Sequence, residues 1–229
     1  KAIGVDYFLT GVDTREDKMR QDKQIVPEEQ IQYVQTLSGV QGGGSLYHNL
    51  NPDRFGLEDS KLPETSTYSI YSGQEFEKRR DGTYKVNLYG ADDFVIEQME
   101  MIEGEADLDK LKTGKYILYG LERDATSALA YMGEAKKDWK YYEVGDQITL
   151  TCGKRKEDYE ILGICVINHT YAEQNNFVYP GHELTFYLPS TEYLSYGKEL
   201  PMRYLFSTVK GENIEQQLEG ISYESRKKW

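Results

Sequence analysis

The groups in this chain that could do chemistry are scattered, and their spacing is the first thing to test. Asn51, Asp53, Glu58 and Asp59 place oxygen ligands around Gly56, as calcium loops do, but Pro52 interrupts them and the full loop pattern is missing. The segment Asn51–Asp59 therefore reads as a surface turn. Glu97, Glu100, Glu103, Glu105 and Asp107 could furnish the carboxylate pair of glycoside hydrolysis, yet no spacing ties any two together, and they read as solvated acids. His48, His169 and His182 make no short-spaced metal motif. Gly39, Gly42, Gly43 and Gly44 precede no Gly-Lys-Ser/Thr, and their flanking order, helix then strand, is the reverse of a phosphate-cradling loop. Asn168, His169 and Thr170 match a glycosylation acceptor. No Ser or Cys stands in a nucleophile elbow. No catalytic, cofactor-binding or metal residue is assigned, and no cofactor is expected.

The elements that would position such groups centre on residues 142–167. Val144, Ile148, Leu150 and Cys152 alternate with Gln147, Thr149 and Thr151, the period of a half-buried strand. Gly145 and Asp146 are a turn pair in front of it. A charged connection, Gly153 to Asp158, leads to Tyr159–Ile167, apolar on both faces around Gly163 and so predicted to be a central strand covered on two sides. In that register Cys165 lies about 23 Å from Cys152, whereas a disulfide needs Cα atoms within about 7 Å, so two free thiols are expected.

Strands are predicted at Ala2–Thr10, Thr67–Tyr71, Thr83–Tyr89, Lys115–Tyr119, Glu183–Leu188, Met202–Val209 and Ile221–Glu224. Pro27–Leu37 has the marks of a helix. Pro27 suits its start, Glu28 and Glu29 its positive end, Gly39 a left-handed stop, and Ile31, Val34 and Leu37 one apolar face. Shorter helices are predicted at Ala91–Met101 behind Asp92 and Asp93, at Leu121–Met132, at Ser190–Tyr196 and at Glu212–Glu219, with a polar loop over Asn168–His182. Strand, helix and then Leu37, Ser38, Gly39, Val40 follow one another near the beginning. Strand, helix and then Leu218, Glu219, Gly220, Ile221 do so near the end. This echo suggests two β-α-β units that meet, with the residues between them inserted.

A chain of 229 residues with a formal net charge of −12 can bury a sizeable core and repels phosphates, which argues against nucleic acid and anionic lipid surfaces. The basic clusters Lys78–Arg80, Lys136–Lys137 and Arg226–Lys228 read as solvated faces. No apolar run approaches the roughly 20 residues of a spanning helix, and no signal peptide is present. The abrupt start at Lys1 and finish at Trp229 suggest a soluble segment excised from a larger protein, or a processed secreted protein. The 20 tyrosines could line a sugar- or peptide-binding surface, though sheet faces and core are their commoner place.

Together, Gly90–Phe94, Ile102–Gly104, Gly114–Tyr119, Val144–Leu150 and Tyr159–Ile164, with Leu37–Val40 ahead of them, resemble the MacB-type extracytoplasmic core domain of FtsX-like ABC transporter permeases. The likeness covers most of residues 25–225. It implies an α+β fold, with a split porter-like subdomain of two β-α-β units (1–90 and 185–229) and an inserted strand-rich subdomain (91–184). It also implies a non-catalytic domain outside the bacterial plasma membrane, between membrane helices, that binds and transmits force. The implied partners are a cytoplasmic ATPase subunit, a second permease copy and a peptide, lipoprotein or antibiotic-like ligand. Residues 51–82 depart from the pattern and read as an insertion that contacts the partner, and Arg226–Lys228 runs against the positive-inside bias. The rival readings are a secreted or surface binding module using the tyrosines and a hydrolase using the acids.

Overall fold

The computed structural model of the chain describes residues 4–10, 12–13, 24–48, 54–59, 78–122, 142–167, 184–209 and 213–225. In chain order the elements are β1 (Tyr7–Thr10), β2 (Val12–Asp13), β3 (Gln24–Ile25), α1 (Glu28–Thr36), β4 (Val40–His48), β5 (Phe55–Glu58), β6 (Tyr84–Lys85), β7 (Asn87–Ala91), α2 (Asp93–Glu97), β8 (Met101–Gly104), α3 (Leu108–Leu111), β9 (Tyr116–Glu122), β10 (Gln147–Cys152), β11 (Arg155–Ile167), β12 (Thr185–Pro189), α4 (Ser190–Ser195), β13 (Arg203–Thr208), α5 (Ile214–Gln217) and β14 (Tyr223–Ser225). Parallel and antiparallel strands with a few short helices make this an α+β chain. It divides into two compact units. The first holds Lys1–Leu50, Tyr89–Met99 and Pro189–Trp229, and the second Asn51–Leu88 and Glu100–Leu188. Residues 51–88, grouped with the chain ends in the sequence reading, fall in the second unit because β5 pairs with β10 there. Residues 89–99 fall in the first, where β7 pairs with β4.

In the first unit the strand order is β14-β1-β13-β4-β7. β1 is antiparallel to both β13 and β14, and β13 is antiparallel to β4. Each β-α-β segment, β1-α1-β4 and β13-α5-β14, therefore straddles a strand of the other, the split β-α-β arrangement. The helices carry the core that makes this work. Ile31 and Val34 of α1 and Ile214 and Leu218 of α5 pack with Tyr7, Leu9, Val26, Tyr204 and Phe206. Burying each aliphatic side chain contributes roughly 1.5–3 kcal/mol, several times what a nine-residue helix gains from propensity. The echo between the ends has a structural counterpart. Val40 N–H donates to Leu37 C=O and Ile221 N–H to Leu218 C=O, both at 3.0 Å. Gly220 has φ +82, but Gly39 is not left-handed. α1 ends instead with Leu37 in an extended conformation, its N–H still bound to Val34 C=O.

In the second unit the order is β12-β9-β11-β10-β5-β6, with β8 also on β11. β11 runs parallel to β9 and antiparallel to β10 and β8. Ile161 to Cys165 are buried, as the apolar run requires. The connection before it is shorter than the charge pattern suggested. Cys152 pairs with Arg155 across a two-residue turn whose first residue, Gly153, has φ +61. Arg155–Asp158 belong to the strand because its outer face is wet, and Thr149 donates to Asp158 at 2.6 Å and Gln147 to Glu160 at 2.9 Å along it. Gly145, at φ +92, gives its N–H to Ile161 C=O, and Asp146 accepts from Glu143 N–H, fixing the entry to β10. The helix expected through Met101 stops at Glu97, and β8 follows it. Leu121 and Glu122 close β9 rather than open a helix, and the remainder of Leu121–Met132 lies outside the described residues. So do Thr67–Tyr71, Lys136, Lys137, Asn168–His182 with its glycosylation pattern, and Arg226–Lys228.

Candidate functional site

The structure disperses the residues that could have made a site. Phe55–Glu58 of the calcium-like segment is an extended strand, and residues 51–53 lie outside the described residues. Asp59 is engaged by the Tyr142 hydroxyl. Glu97, Glu100, Glu103 and Glu105 are exposed. Glu105 pairs with Lys110 at 2.5 Å, which raises the lysine's pKa, and Asp107 caps α3 by accepting from Lys110 N–H at 3.1 Å. His48 stacks on Tyr89, ring centroids 4.2 Å apart, while His169 and His182 lie outside the described residues. Gly42, Gly43 and Gly44 lie within β4. A Cβ on Gly43 would sit 2.5 Å from the Tyr204 hydroxyl, so that glycine makes room for a ring rather than a phosphate. Cys152 and Cys165 are free thiols, and burial pushes Cys165 up to about 12. Among the described residues no group of three or more His, Cys, Asp or Glu could hold a metal ion.

One polar centre does converge, in the first unit. Asp92 precedes α2 as its cap, but its carboxylate makes no cap hydrogen bond to that helix. One oxygen accepts Ser45 N–H of β4 at 2.7 Å, and the other accepts the Ser190 hydroxyl at the start of α4. The backbone closes the knot, with Asp92 N–H donating to Ser45 C=O at 3.0 Å and Asp92 C=O accepting from Val95 and Ile96. Tyr193 of α4 lies across Gly90, where a Cβ would stand 2.5 Å from its Cγ, and its hydroxyl donates to Glu199 at 2.7 Å. The Tyr47 hydroxyl is shifted up by burial and then by the Asp92 charge, and Tyr204 by burial with a smaller push from Asp92. Among the described residues no cation pairs with Asp92; hydroxyl and amide protons hold it. Sequence reasoning identified Asp92 only as a helix cap, because Ser45 and Ser190 are 47 and 98 positions away. This constellation can hold three elements together, but it lacks an activated nucleophile or a general base with a partner.

No protein-family model and no curated protein sequence matches the chain. Solved structures do. Over 99% of this chain and 91% of the other, it superposes on the periplasmic region of MacB from Actinobacillus actinomycetemcomitans with TM-score 0.50 and 10% identity. The chain has the fold of a MacB-type periplasmic domain. The extracellular domain of the noncanonic ABC-type transporter YknZ from Gram-positive bacteria matches 96% of this chain and 98% of its own, with TM-score 0.46 and 10% identity. A domain of a putative permease protein from Porphyromonas gingivalis matches 94% and 76%, with TM-score 0.42 and 17% identity. Among the described residues no helix is long and apolar enough to cross a membrane.

Proposed function

We infer that the chain is the extracytoplasmic domain of an ABC transporter permease, a non-catalytic element that binds a ligand or partner and passes on force generated elsewhere. The observation that carries this reading is the end-to-end likeness to the MacB periplasmic region, at TM-score 0.50 over 99% of the chain. The first unit, where the opening and closing β-α-β segments interleave, is the porter-like subdomain in this reading, and the second unit is the strand-rich insertion. A cytoplasmic ATPase would supply the energy, and a second permease copy would complete the transporter. The scattered acids and the buried, engaged tyrosines support a domain that works by shape and movement rather than by bond chemistry.

The test is topology in the full-length gene product. In a Cys152→Ser background, a cysteine replacing exposed Lys154 in the Gly153–Lys154 turn is treated with a membrane-impermeant maleimide on intact cells. Labelling of intact cells is expected, together with apolar spans of about 20 residues on both sides of the domain. Labelling only after lysis, or a reading frame without such spans, overturns the assignment.

A further inference from the structure

The chain passes between its two units four times, at Leu50/Asn51, Leu88/Tyr89, Met99/Glu100 and Leu188/Pro189. The last three adjoin an element of the first unit that the Asp92 knot touches, and the first lies outside the described residues. Ser45 lies on β4, the last described element before the first passage. Asp92 itself follows β7, which carries the second. α2, whose Val95 and Ile96 amides bind Asp92 C=O, leads to the third. Ser190 opens α4 directly after the fourth. We propose that Asp92 is a positioning residue that fastens β4, the β7–α2 junction and the start of α4 to one another, so that a displacement of the first unit reaches the chain passages next to these elements together instead of loosening them one by one.

Three features favour a fastening over a general contribution to stability. The carboxylate is diverted from its local duty. An Asp ahead of a helix normally accepts an amide of the first turn, and here both oxygens go to other elements. Its partners are an N–H and an O–H rather than a cation, so the bonds are directional and short-ranged, and they fix geometry as well as adding the attraction of charge-assisted bonds. Its hydrogen bonds also go to β4, α2 and α4 rather than to α1 or α5, whose side chains build the hydrophobic cluster on the sheet. The proposal deepens the force-transmission reading given above and rests on it for its biological meaning.

The test is native-state hydrogen exchange on the 229-residue chain, comparing wild type with Asp92→Ala, Asp92→Asn and Ser190→Ala. Asp92→Ala should accelerate exchange at least about tenfold at Ser45, Asp92, Val95, Ile96 and through α4. The same substitution should raise exchange in the second-unit segments next to the passages, β8 and the second-unit part of β12. Amides of α1 and α5, and those of the β10–β11 hairpin, should keep their wild-type rates. Asp92→Asn, which keeps one accepting oxygen, and Ser190→Ala should give the same pattern at smaller amplitude, and they serve if Asp92→Ala does not fold. A uniform rise that includes α1 and α5 marks an ordinary stabilising contact and overturns the proposal. So does a rise confined to the first unit, or no change at all. None of these measurements involves a membrane or an ATPase, so failure here leaves the permease reading standing, and failure of the topology experiment leaves the fastening standing.

Discussion

Replacing Gly90 by alanine tests how closely an aromatic ring is laid on the backbone in the first unit. A Cβ at this position would stand 2.5 Å from Tyr193 Cγ and 2.6 Å from its Cβ and Cδ1. Ordinary carbon–carbon contacts are about 3.5–4.0 Å, so the overlap is about 1 Å at three atoms. These atoms are at the root of the side chain, so swinging the ring tip cannot relieve the clash. Either α4 moves or the ring leaves a position where it is 0% exposed. Overpacking of this kind costs about 1–3 kcal/mol, and full loss of a buried aromatic about 3–5 kcal/mol, so we expect Gly90→Ala to destabilise by about 3 kcal/mol. The melting temperature should fall by roughly 6–12 °C for a chain of this size. Because a chain of two compact units need not unfold in one step, urea titration should be paired with hydrogen exchange to assign the loss to β7 and α4. Gly145→Ala is the control. Its φ of +92 imposes strain, but nothing lies within 4 Å of the new methyl group, so about 1–2 kcal/mol is expected. In the Gly90→Ala background, Tyr193→Ala should cost much less than in wild type. The reasoning fails if Gly90→Ala costs under about 0.5 kcal/mol, or if the two tyrosine deletions are additive.

Stability should fall as pH rises above about 9. The Cys165 thiol keeps its proton in the fold up to about 12 because it is buried, against an ordinary value of 9.0, so between those values the unfolded chain has lost a proton that the folded one retains. One such group gives a slope of up to about 1.4 kcal/mol per pH unit, and Cys165→Ala should flatten the urea midpoint against pH accordingly. Iodoacetamide at pH 8 should modify half-buried Cys152 at least about tenfold faster than Cys165 in the native chain, a ratio that disappears in urea. Tyr142→Phe keeps a fully buried ring but removes the hydroxyl that donates to Asp59, and should cost about 1–2 kcal/mol by urea unfolding.

What the sequence could convey depended on how local the determining physics was. The β10 alternation, the Gly145–Asp146 turn and the apolar run of β11 were legible because each follows from periodicity or from one residue's φ. α1 was legible from Pro27, two first-turn acids and the spacing of Ile31 and Val34, although Gly39 misled, since this helix stops by extending at Leu37. Arg155–Asp158 read as a loop because charge masks a strand whose outer face is solvated and paired across to β10. β8 and α3 are four residues each, too short for a period to register. The pairing of β5 with β10, which moves residues 51–88 to the second unit, is a contact between segments about 90 positions apart with no local signature. The Asp92 knot was missed for the same reason. Its three members look like a cap, a strand serine and a second cap until the fold brings them together.

The tyrosines link composition to function most directly. A sugar-binding surface needs rings lying open; among the described residues Tyr7, Tyr84, Tyr89, Tyr119, Tyr142, Tyr159, Tyr187, Tyr193 and Tyr204 are buried. A buried phenol must find an acceptor or donor, and several do so across elements that are distant in the chain. Tyr142 reaches Asp59 and Tyr204 receives Gln35 of α1, while Tyr193 reaches Glu199, six positions on. Even Tyr33, 43% exposed, spends its hydroxyl on the C=O of Gln217, the last residue of α5. Tyr193 and Tyr204 lie over Gly90 and Gly43, strand positions where any side chain would collide with the ring. These rings thus lock helices to strands at points where hydrophobic packing alone would allow sliding. In the force-transmission reading that rigidity has a consequence. A unit tied this way would keep its helices and strands in register under load, which makes the ties themselves, Tyr193 over Gly90 and Tyr204 over Gly43, the places where a single substitution should loosen it.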